Sequence, residues 1–326
     1  MSKGQITDVP GIKVGNVENL EALTGCTVVL VEEGATGGVD VRGSAPGTRE
    51  TDLLDPVNLV DQVHAICLSG GSAFGLDAAS GVMKYLEEGG IGLDVGVAKV
   101  PIVPAAVLFD LAVGNPNVRP DQQMGYGAAK RASDLPFKTG NVGAGCGATV
   151  GKLAGNNSCM KGGLGSSSYT MEDGTVIGAL VAVNAVGDVR DPANGRILAG
   201  PLNKEKRQIM DSLTILQQGD KANIQEGTNT TIGVIAVNAQ LTKAEAKKVA
   251  QMAHDGYART IYPAHTMYDG DTIFTIATGG RKVPVDLLGA IAAKVMEEAI
   301  INAILFAKGT QGIPAYDDIA HAKEKQ

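Results

Sequence analysis

A hydroxyl residue stands where a polar stretch of the chain meets an apolar one. Thr230 follows the polar, aperiodic segment Asp191–Asn229 and precedes the apolar segment Thr231–Val237. A threonine hydroxyl is a weak nucleophile that needs a nearby base. Cutting the Asn229–Thr230 peptide bond creates such a base, because the new α-amine of Thr230 has an ordinary pKa of about 7.7–8.0. The hydroxyl can itself make the cut by attacking the Asn229 carbonyl. The alternative interpretation is a loop that simply enters a strand.

Other groups of reactive residues provide no competing assignment. The four histidines do not have the spacing of a metal-binding helix, and there is no GxSxG nucleophile elbow. His254 and His265 flank a predicted helix end, where hydrogen-bonded structural roles are expected. The segment GAGCGATVGK continues with Leu153 where a phosphate-binding loop has Ser or Thr. The four cysteines form no CxxC pair, which predicts buried free thiols.

Eight segments, in order along nearly the whole chain, carry a family resemblance. They are Ile6–Asn16, Arg42–Pro56, Leu68–Met83, Val100–Leu111, Gly140–Lys152, Lys161–Ser168, Asn229–Ala239 and Pro263–Gly279. Together they resemble the L-aminopeptidase/D-Ala-esterase/amidase family of N-terminal-nucleophile hydrolases. That family includes β-peptidyl aminopeptidases and nylon-oligomer (6-aminohexanoate-oligomer) endo-hydrolases.

The resemblance implies a fold and a processing event. The expected fold is α/β, a layered α-β-β-α sandwich of the self-cleaving N-terminal-nucleophile type. One domain, residues 1–326, is expected to be cut into an α chain, 1–229, and a β chain, 230–326. The cut chains are expected to form homo-oligomers, most simply tetramers of αβ units.

The resemblance also assigns roles in the reaction. Thr230 matches the nucleophile, which is Ser in the aminopeptidases and Thr in the nylon-oligomer enzymes. Asn184, in VAVNAVG, matches an asparagine whose amide helps to form the oxyanion hole; such a donor contributes roughly 10²–10³-fold in rate. Lys161, at the start of KGGLG, matches the site lysine. Lys152 is its rival, because both lysines of this glycine-rich region fit that position.

Three further residues complete the site that the resemblance implies. Asp269 and Asp271 lie on either side of a glycine in YDGD, so both carboxylates can reach one pocket and hold the Thr230 amine and hydroxyl. Tyr126, in MGYGAAK, resembles a site tyrosine. The chain departs from the family pattern at Cys146, where Thr is expected, and at Asn238, where Asp is frequent.

These residues predict an amide hydrolase that works through a Thr230 acyl-enzyme, with no metal or organic cofactor. The threonine nucleophile and the Asp pair favour linear aliphatic amides, as in nylon-oligomer hydrolases. Aminopeptidase action on short or β-amino peptides is the alternative. A more distant alternative is acyl transfer of the ornithine type, although the local motifs of those transferases are missing. A family member that never cleaves itself also stays open.

Strands and helices must position these residues, and the chain alternates between the two patterns. Apolar runs predict strands at Thr27–Glu32, Val63–Leu68, Thr175–Asn184, Thr231–Val237 and Asp271–Thr278. Helical spacing or a capping box predicts helices at Leu76–Glu88, from Thr242 to about Ile261, and at Asp286–Ala307. Interleaved strands and helices predict a layered α/β domain, whose topology this pattern does not define.

Four other segments have less regular patterns. Ile102–Leu111 fits a strand or a buried helix equally well. Thr139–Ser168 has the composition of a glycine-dense loop region. Asp191–Asn229 is expected to be an exposed connector, and Asp317–Gln326 a polar tail.

Composition limits the partners of this 326-residue chain. With 44% hydrophobic and 19% charged residues, the chain can bury a large core, built without Trp from Ala, Val, Ile and Leu. A net charge of −7 is unlike a nucleic-acid-binding surface. No basic run, apolar leader or uncharged segment of about 20 residues is present, so no membrane partner is expected. The sequence predicts a cytoplasmic enzyme whose partner is a small peptide or oligoamide.

Overall fold

Helices and strands alternate in the computed structural model, which describes residues 4–205, 208–219 and 229–324. The α-helices are α1 (Ala78–Glu88), α2 (Gln122–Arg131), α3 (Ser212–Gln217), α4 (Lys243–Thr260), α5 (Val285–Leu305) and α6 (Tyr316–Glu324). The strands are β1 (Lys13–Asn19), β2 (Thr24–Val41), β3 (Thr48–Arg49), β4 (Gln62–Ser69), β5 (Leu93–Asp94), β6 (Lys99–Val100), β7 (Ala105–Val107), β8 (Thr149–Val150), β9 (Met160–Lys161), β10 (Gly163–Thr170), β11 (Val176–Asn184), β12 (Asp188–Arg190), β13 (Ile197–Ala199), β14 (Thr230–Ala239), β15 (Ile261–Tyr262) and β16 (Thr272–Arg281).

Nine of these strands form one continuous sheet. Its order is β10-β11-β14-β16-β2-β4-β7-β3, and β1 pairs with β2 outside that path. The pairs β14–β16 and β4–β7 are parallel, and the others are antiparallel. The long strand β2 joins the two halves of the sheet. Its first part pairs with β1 and its last part with β16, on either side of an irregularity between Leu30 and Ala35.

Three apolar clusters show how the sheet and helices stack. Alternate residues of β11 point to opposite sides: Ile177, Ala179, Val181 and Val183 join the cluster under α4 and α5. Leu180 and Ala182 join a middle cluster, which they share with residues of β2 and β4 from the other half of the sheet. A third cluster lies between that other half and α1 and α2. This is the four-layer α/β arrangement that was predicted, and both faces of β11 are buried because each faces another layer.

The long elements start and end close to the predicted residues, for local reasons. The capping box of α4 is present: the Thr242 hydroxyl accepts the Glu245 N–H, and the Glu245 carboxylate accepts the Thr242 N–H. Strand β11 and helix α5 each lie within two residues of their predicted bounds. The segment Ile102–Leu111 contains only the short strand β7.

The prediction of a glycine-dense loop at Thr139–Ser168 is partly wrong, because β10 begins at Gly163.

Glycines in this region allow a helix to approach the sheet. A Cβ at Gly165 would lie 2.0 Å from the carbonyl oxygen of Ala299 in α5. The same close approach joins α1 and α2, where a Cβ at Gly81 would lie 1.9 Å from the Gln122 carbonyl oxygen.

The connector Asp191–Asn229 and the polar tail also contain regular structure. Within the described part of the connector lie β13 and α3, so it is not simply an exposed loop. Residues 206–207 and 220–228 of the connector lie outside the described ranges. The tail forms helix α6 up to Glu324. None of the helices in the described ranges combines the length and the apolar composition needed to cross a membrane.

Candidate active site

Three strand ends bring the predicted residues together. Thr230 is the first residue of β14, and its antiparallel partner is Asn184, the last residue of β11. On the other side of β14, Asp271 immediately precedes the parallel strand β16. An isolated bridge pairs Asn229 with Asp269. The strand register therefore places the amide and the two carboxyls on either side of the Asn229–Thr230 peptide bond.

That peptide bond is buried and hydrogen-bonded. The carbonyl oxygen of Asn229 accepts the backbone N–H of Gly270 at 2.9 Å. The Thr230 hydroxyl also donates to this carbonyl oxygen, at 2.5 Å. Asn229 is 0% and Thr230 4% exposed. A threonine hydroxyl and a backbone donor thus meet at one carbonyl oxygen.

Asp271 fixes the chain just after Thr230. Its Oδ1 accepts the backbone N–H of Thr231 at 2.8 Å. Its Oδ2 contacts both the backbone nitrogen, at 3.1 Å, and the ring Nδ1, at 2.8 Å, of His265. Every one of these contacts comes from a donor or from a ring nitrogen that can donate, so Asp271 acts here as a hydrogen-bond acceptor.

Asp269 has a different environment from Asp271. Its Oδ2 accepts the backbone N–H, at 2.9 Å, and the hydroxyl, at 2.6 Å, of Thr266. Burial, and then the neighbouring charge of Asp271, raise the pKa of Asp269 to about 6. A carboxyl with this pKa can gain or lose a proton near neutral pH.

The Asn184 amide is held in one orientation by its contacts. Its Oδ1 accepts the backbone N–H of Thr149 at 3.0 Å and the Nζ of Lys152 at 2.9 Å. Its Nδ2 donates to the Phe109 carbonyl at 3.1 Å. A primary amide nitrogen carries two N–H donors, so it can serve a second acceptor besides Phe109.

Of the two candidate lysines, the structure places Lys152 at Asn184. Lys152 donates to the backbone and side-chain oxygens of Asn184, and burial lowers its pKa to about 7. Lys161 instead donates to the carbonyls of Cys146, at 2.9 Å, and Ala148, at 2.6 Å. Burial lowers the pKa of Lys161 to about 8.

Tyr126 lies apart from these residues. It belongs to α2, and its hydroxyl donates to the Glu88 carboxylate at 2.7 Å at the end of α1. Its ring packs edge-on against Tyr85. Among the contacts of the described residues, none joins Tyr126 to Thr230, Asn184 or the Asp pair. The backbones of Thr149 and Phe109 do reach the Asn184 amide, and the sequence offered no separate signal for either residue.

The segment after β2 supports the Asp pair through its backbone. The N–H groups of Arg42 and Gly43 donate to the Asp271 carbonyl, and that of Ala45 donates to the Asp269 carbonyl. A Cβ on Gly43 would lie 2.3 Å from both the backbone carbonyl oxygen of Asp269 and the backbone nitrogen of Asp271. This close approach gives a physical reason for a glycine in the segment RGSAPGTRE.

A small cleft opens beside the Asn184 amide. Its wall includes Phe109, Thr149, Lys152, Cys159 and Asp110. Burial raises the pKa of Asp110 to about 6, although its carboxylate accepts the Thr24 hydroxyl and the Gly71 N–H. The cleft therefore combines a buried amine and a buried carboxyl next to the amide.

Similarity to known proteins extends over nearly the whole chain. The profile of peptidase family S58 matches residues 4–316. An uncharacterized aminopeptidase of Mycobacterium tuberculosis is 44% identical, over 96% of this chain and 97% of its own. A 6-aminohexanoate-oligomer endohydrolase of Kocuria sp. is 32% identical, over 91% of this chain and 84% of its own. The solved structure of L-aminopeptidase D-Ala-esterase/amidase from Ochrobactrum anthropi, a variant of the Ntn hydrolase fold, has a TM-score of 0.71 at 18% identity, covering 98% of this chain and 93% of that one.

The family match and these relatives define the class of protein as a hydrolase of the peptidase type. The layered α/β architecture is the one shared with the Ntn hydrolase structure. More narrowly, the chain belongs to peptidase family S58, which confirms the family resemblance of its sequence.

Proposed function

We propose that this chain is the precursor of an N-terminal-nucleophile amide hydrolase that cuts itself between Asn229 and Thr230. The observation that carries the proposal is the position of the Asn229 carbonyl oxygen, 2.9 Å from the Gly270 nitrogen and 2.5 Å from Thr230 Oγ1. A backbone N–H at this place stabilises the negative charge that develops on a carbonyl oxygen under attack.

The proposed self-cleavage has two steps. Thr230 Oγ1 adds to the Asn229 carbonyl carbon and the C–N bond breaks, which transfers the acyl group from the Thr230 nitrogen to its oxygen. Water then hydrolyses the ester, leaving a carboxylate on Asn229 and a free α-amine on Thr230. We assign proton exchange with the hydroxyl and the leaving nitrogen to Asp269, because its backbone pairs with that of Asn229 beside the scissile bond and its pKa of about 6 suits transfer near neutral pH.

Turnover is proposed to reuse the same hydroxyl. The α-amine of Thr230 takes the hydroxyl proton as the oxygen attacks a substrate amide. The Asn184 amide donates to the developing oxyanion, and Lys152 keeps that amide in place through its Oδ1. The substrate amine leaves with a proton, and water hydrolyses the acyl-threonine ester. In this proposal Lys152 takes the role that the sequence analysis gave to Lys161, with Lys152 as its rival.

Linear aliphatic amides, as in nylon-oligomer hydrolases, are the proposed substrates, supported by the Thr nucleophile position, the Asp pair and the relative at 32% identity. The relative at 44% identity, named as an aminopeptidase, favours short or β-amino peptides as the alternative. Acyl transfer of the ornithine type is the more distant alternative.

A screen of α-peptides, β-peptides and 6-aminohexanoate oligomers separates linear aliphatic amides from short or β-amino peptides as substrates. Incubation with an acyl donor and ornithine tests the third, because acyl-ornithine would contradict hydrolysis as the main reaction.

Intact-mass spectrometry of the purified protein tests the mechanism. We expect two fragments, one ending at Asn229 and one beginning at Thr230. The Thr230→Ala variant has no hydroxyl and should stay as one folded, uncut chain with no turnover. A fully active intact chain, or turnover of Thr230→Ala at the wild-type rate, would contradict the mechanism.

We also propose that the cut chains assemble into a homo-oligomer, with a tetramer of αβ units as the expected form. Exposed apolar side chains support an association surface: Val57, Leu59 and Val97 are 89%, 94% and 95% exposed. Single apolar residues on a surface are common, so light scattering of the purified protein is the test of this state.

A further inference from the structure

Two histidines, His265 and His254, lie next to Asp271, whose carboxylate accepts the Thr231 N–H. His265 occupies the loop between β15 and β16, and two of its atoms meet one oxygen of Asp271. The backbone nitrogen lies 3.1 Å and the ring Nδ1 2.8 Å from Asp271 Oδ2. The other oxygen, Oδ1, accepts the Thr231 N–H at 2.8 Å. The two oxygens of Asp271 are thus divided between His265 and the residue after the proposed nucleophile.

The His265 ring packs against two side chains of helix α4. It packs edge-on against His254, with ring centroids 4.7 Å apart, and tilted against Tyr257 at 6.0 Å. His254 and Tyr257 are 1% and 0% exposed. His254 Nε2 lies 3.1 Å from the Asp40 carbonyl oxygen and 3.6 Å from its carboxylate. A line of side chains therefore runs from β2, through α4, to Asp271.

Charge and backbone conformation show that this arrangement is constrained. Burial, and then the neighbouring His265, lower the pKa of His254 to about 4, so its ring is uncharged at neutral pH. The backbone of His265 has a φ of 57°, in the left-handed region that most side chains avoid. This conformation turns the backbone N–H and the ring Nδ1 toward the same carboxylate oxygen.

We propose that His265 is a positioning residue of the hydrolase: its protonated Nδ1 fixes Asp271 Oδ2, so that Oδ1 holds the Thr231 N–H and aligns the Thr230 hydroxyl. The inference rests on the proposed role of Thr230 and adds a residue and a tautomer to it. Misplacing a reacting group by about 1 Å costs roughly 10²-fold in rate, which sets the size of the expected effect.

Three substitutions of His265 separate positioning from folding. His265→Asn keeps a side-chain N–H near the place of Nδ1, and Asn tolerates a positive φ. His265→Gln carries the same amide one methylene further out, and His265→Ala removes it. We expect self-cleavage, followed by intact mass, to slow about 10²-fold in the Ala and Gln variants and to recover to within about tenfold of wild type in the Asn variant. Equal slowing in the Asn and Ala variants, or wild-type cleavage in the Ala variant, would overturn the proposal.

A spectroscopic measurement tests the contact without any reaction. The chain has four histidines, so ¹⁵N-imidazole signals can be assigned by single substitutions. In the uncut Thr230→Ala chain we expect His265 Nδ1 to carry a proton, and we expect its signal to shift when Asp271→Asn is added. A bare Nδ1 would overturn the proposal even in a folded chain. If the wild-type chain is never cut, the proposed function fails and the positioning role fails with it, whereas a bare Nδ1 in a chain that is cut overturns the role of His265 alone.

Discussion

At the scale of single residues, two buried lysines have different acceptors. Lys152 donates to the Asn184 amide oxygen, whereas Lys161 donates to backbone carbonyls of Cys146 and Ala148. We expect Lys152→Met to lower kcat by about 10²-fold, because the proposed oxyanion donor loses its orientation. Lys161→Met should keep kcat within a few-fold of the wild-type value. It should lower the free energy of unfolding by about 1–3 kcal/mol, since the buried carbonyls of Cys146 and Ala148 lose their donor. Steady-state kinetics and urea denaturation of both variants test this, and the opposite pattern would reverse the assignment.

The sequence predicted the grouping of the site better than its details. The family resemblance assigned Thr230, Asn184 and Asp271. The register Asn184↔Thr230 and the parallel pairing of β14 with β16 are the physical reasons that they meet. That register depends on pairing between segments 46 positions apart, which local periodicity does not encode. The choice between Lys152 and Lys161 depends on where each amine finds buried acceptors, which is a property of the folded loops.

At the scale of elements, the close packing of two segments supports the Asp pair. A Cβ added at Gly43 would lie 2.3 Å from backbone atoms of Asp269 and Asp271, which cannot move aside without moving both carboxyls. We expect Gly43→Ala to destabilise the chain by about 1–3 kcal/mol and to slow self-cleavage. Gly127→Ala is the matched control, because a Cβ in this α2 position meets only Val17, at 3.5 Å. Thermal unfolding and intact mass measure both effects, and equal behaviour of the two variants would contradict this explanation.

Elements with strong apolar patterns were predictable, and those that depend on glycine contacts were not. The apolar run at Thr175–Asn184 predicted β11 almost to the residue, because both of its faces are buried. Strand β10 and helix α2 contain several glycines, which have low intrinsic propensity for either structure. They form because α5 packs closely on β10 and α1 packs on α2, contacts that a sequence window does not contain.

At the scale of the whole molecule, buried ionisable groups predict how stability depends on pH. In the folded chain the pKa values of Lys152 and Lys161 are lowered to about 7 and 8, mainly by burial. Between those values and the ordinary lysine pKa of about 10.4, the unfolded chain binds more protons, so stability increases with pH. Buried Asp110 and Asp269 have the opposite effect on stability. Because their pKa values are raised to about 6 in the folded chain, the free energy of unfolding falls as pH rises from about 4 to 6.

These opposing groups predict that the unfolding free energy is higher at pH 8.5 than at pH 6.5. Two lysine shifts of this size, reduced by the carboxyl and thiol contributions, amount to about 1–2 kcal/mol over that interval. Above about pH 9 the buried thiols reverse the trend, because only the unfolded chain ionises there and four thiols outnumber two lysines. Burial raises the pKa of Cys67 to about 12 and that of Cys146 to about 11, and it also raises the pKa values of Cys26 and Cys159. Urea denaturation of the uncut Thr230→Ala chain at several pH values measures the curve on a single species. Adding Lys152→Met should remove most of the rise, because Lys152 has the larger shift, and a rise that persists in full would show that other groups cause it.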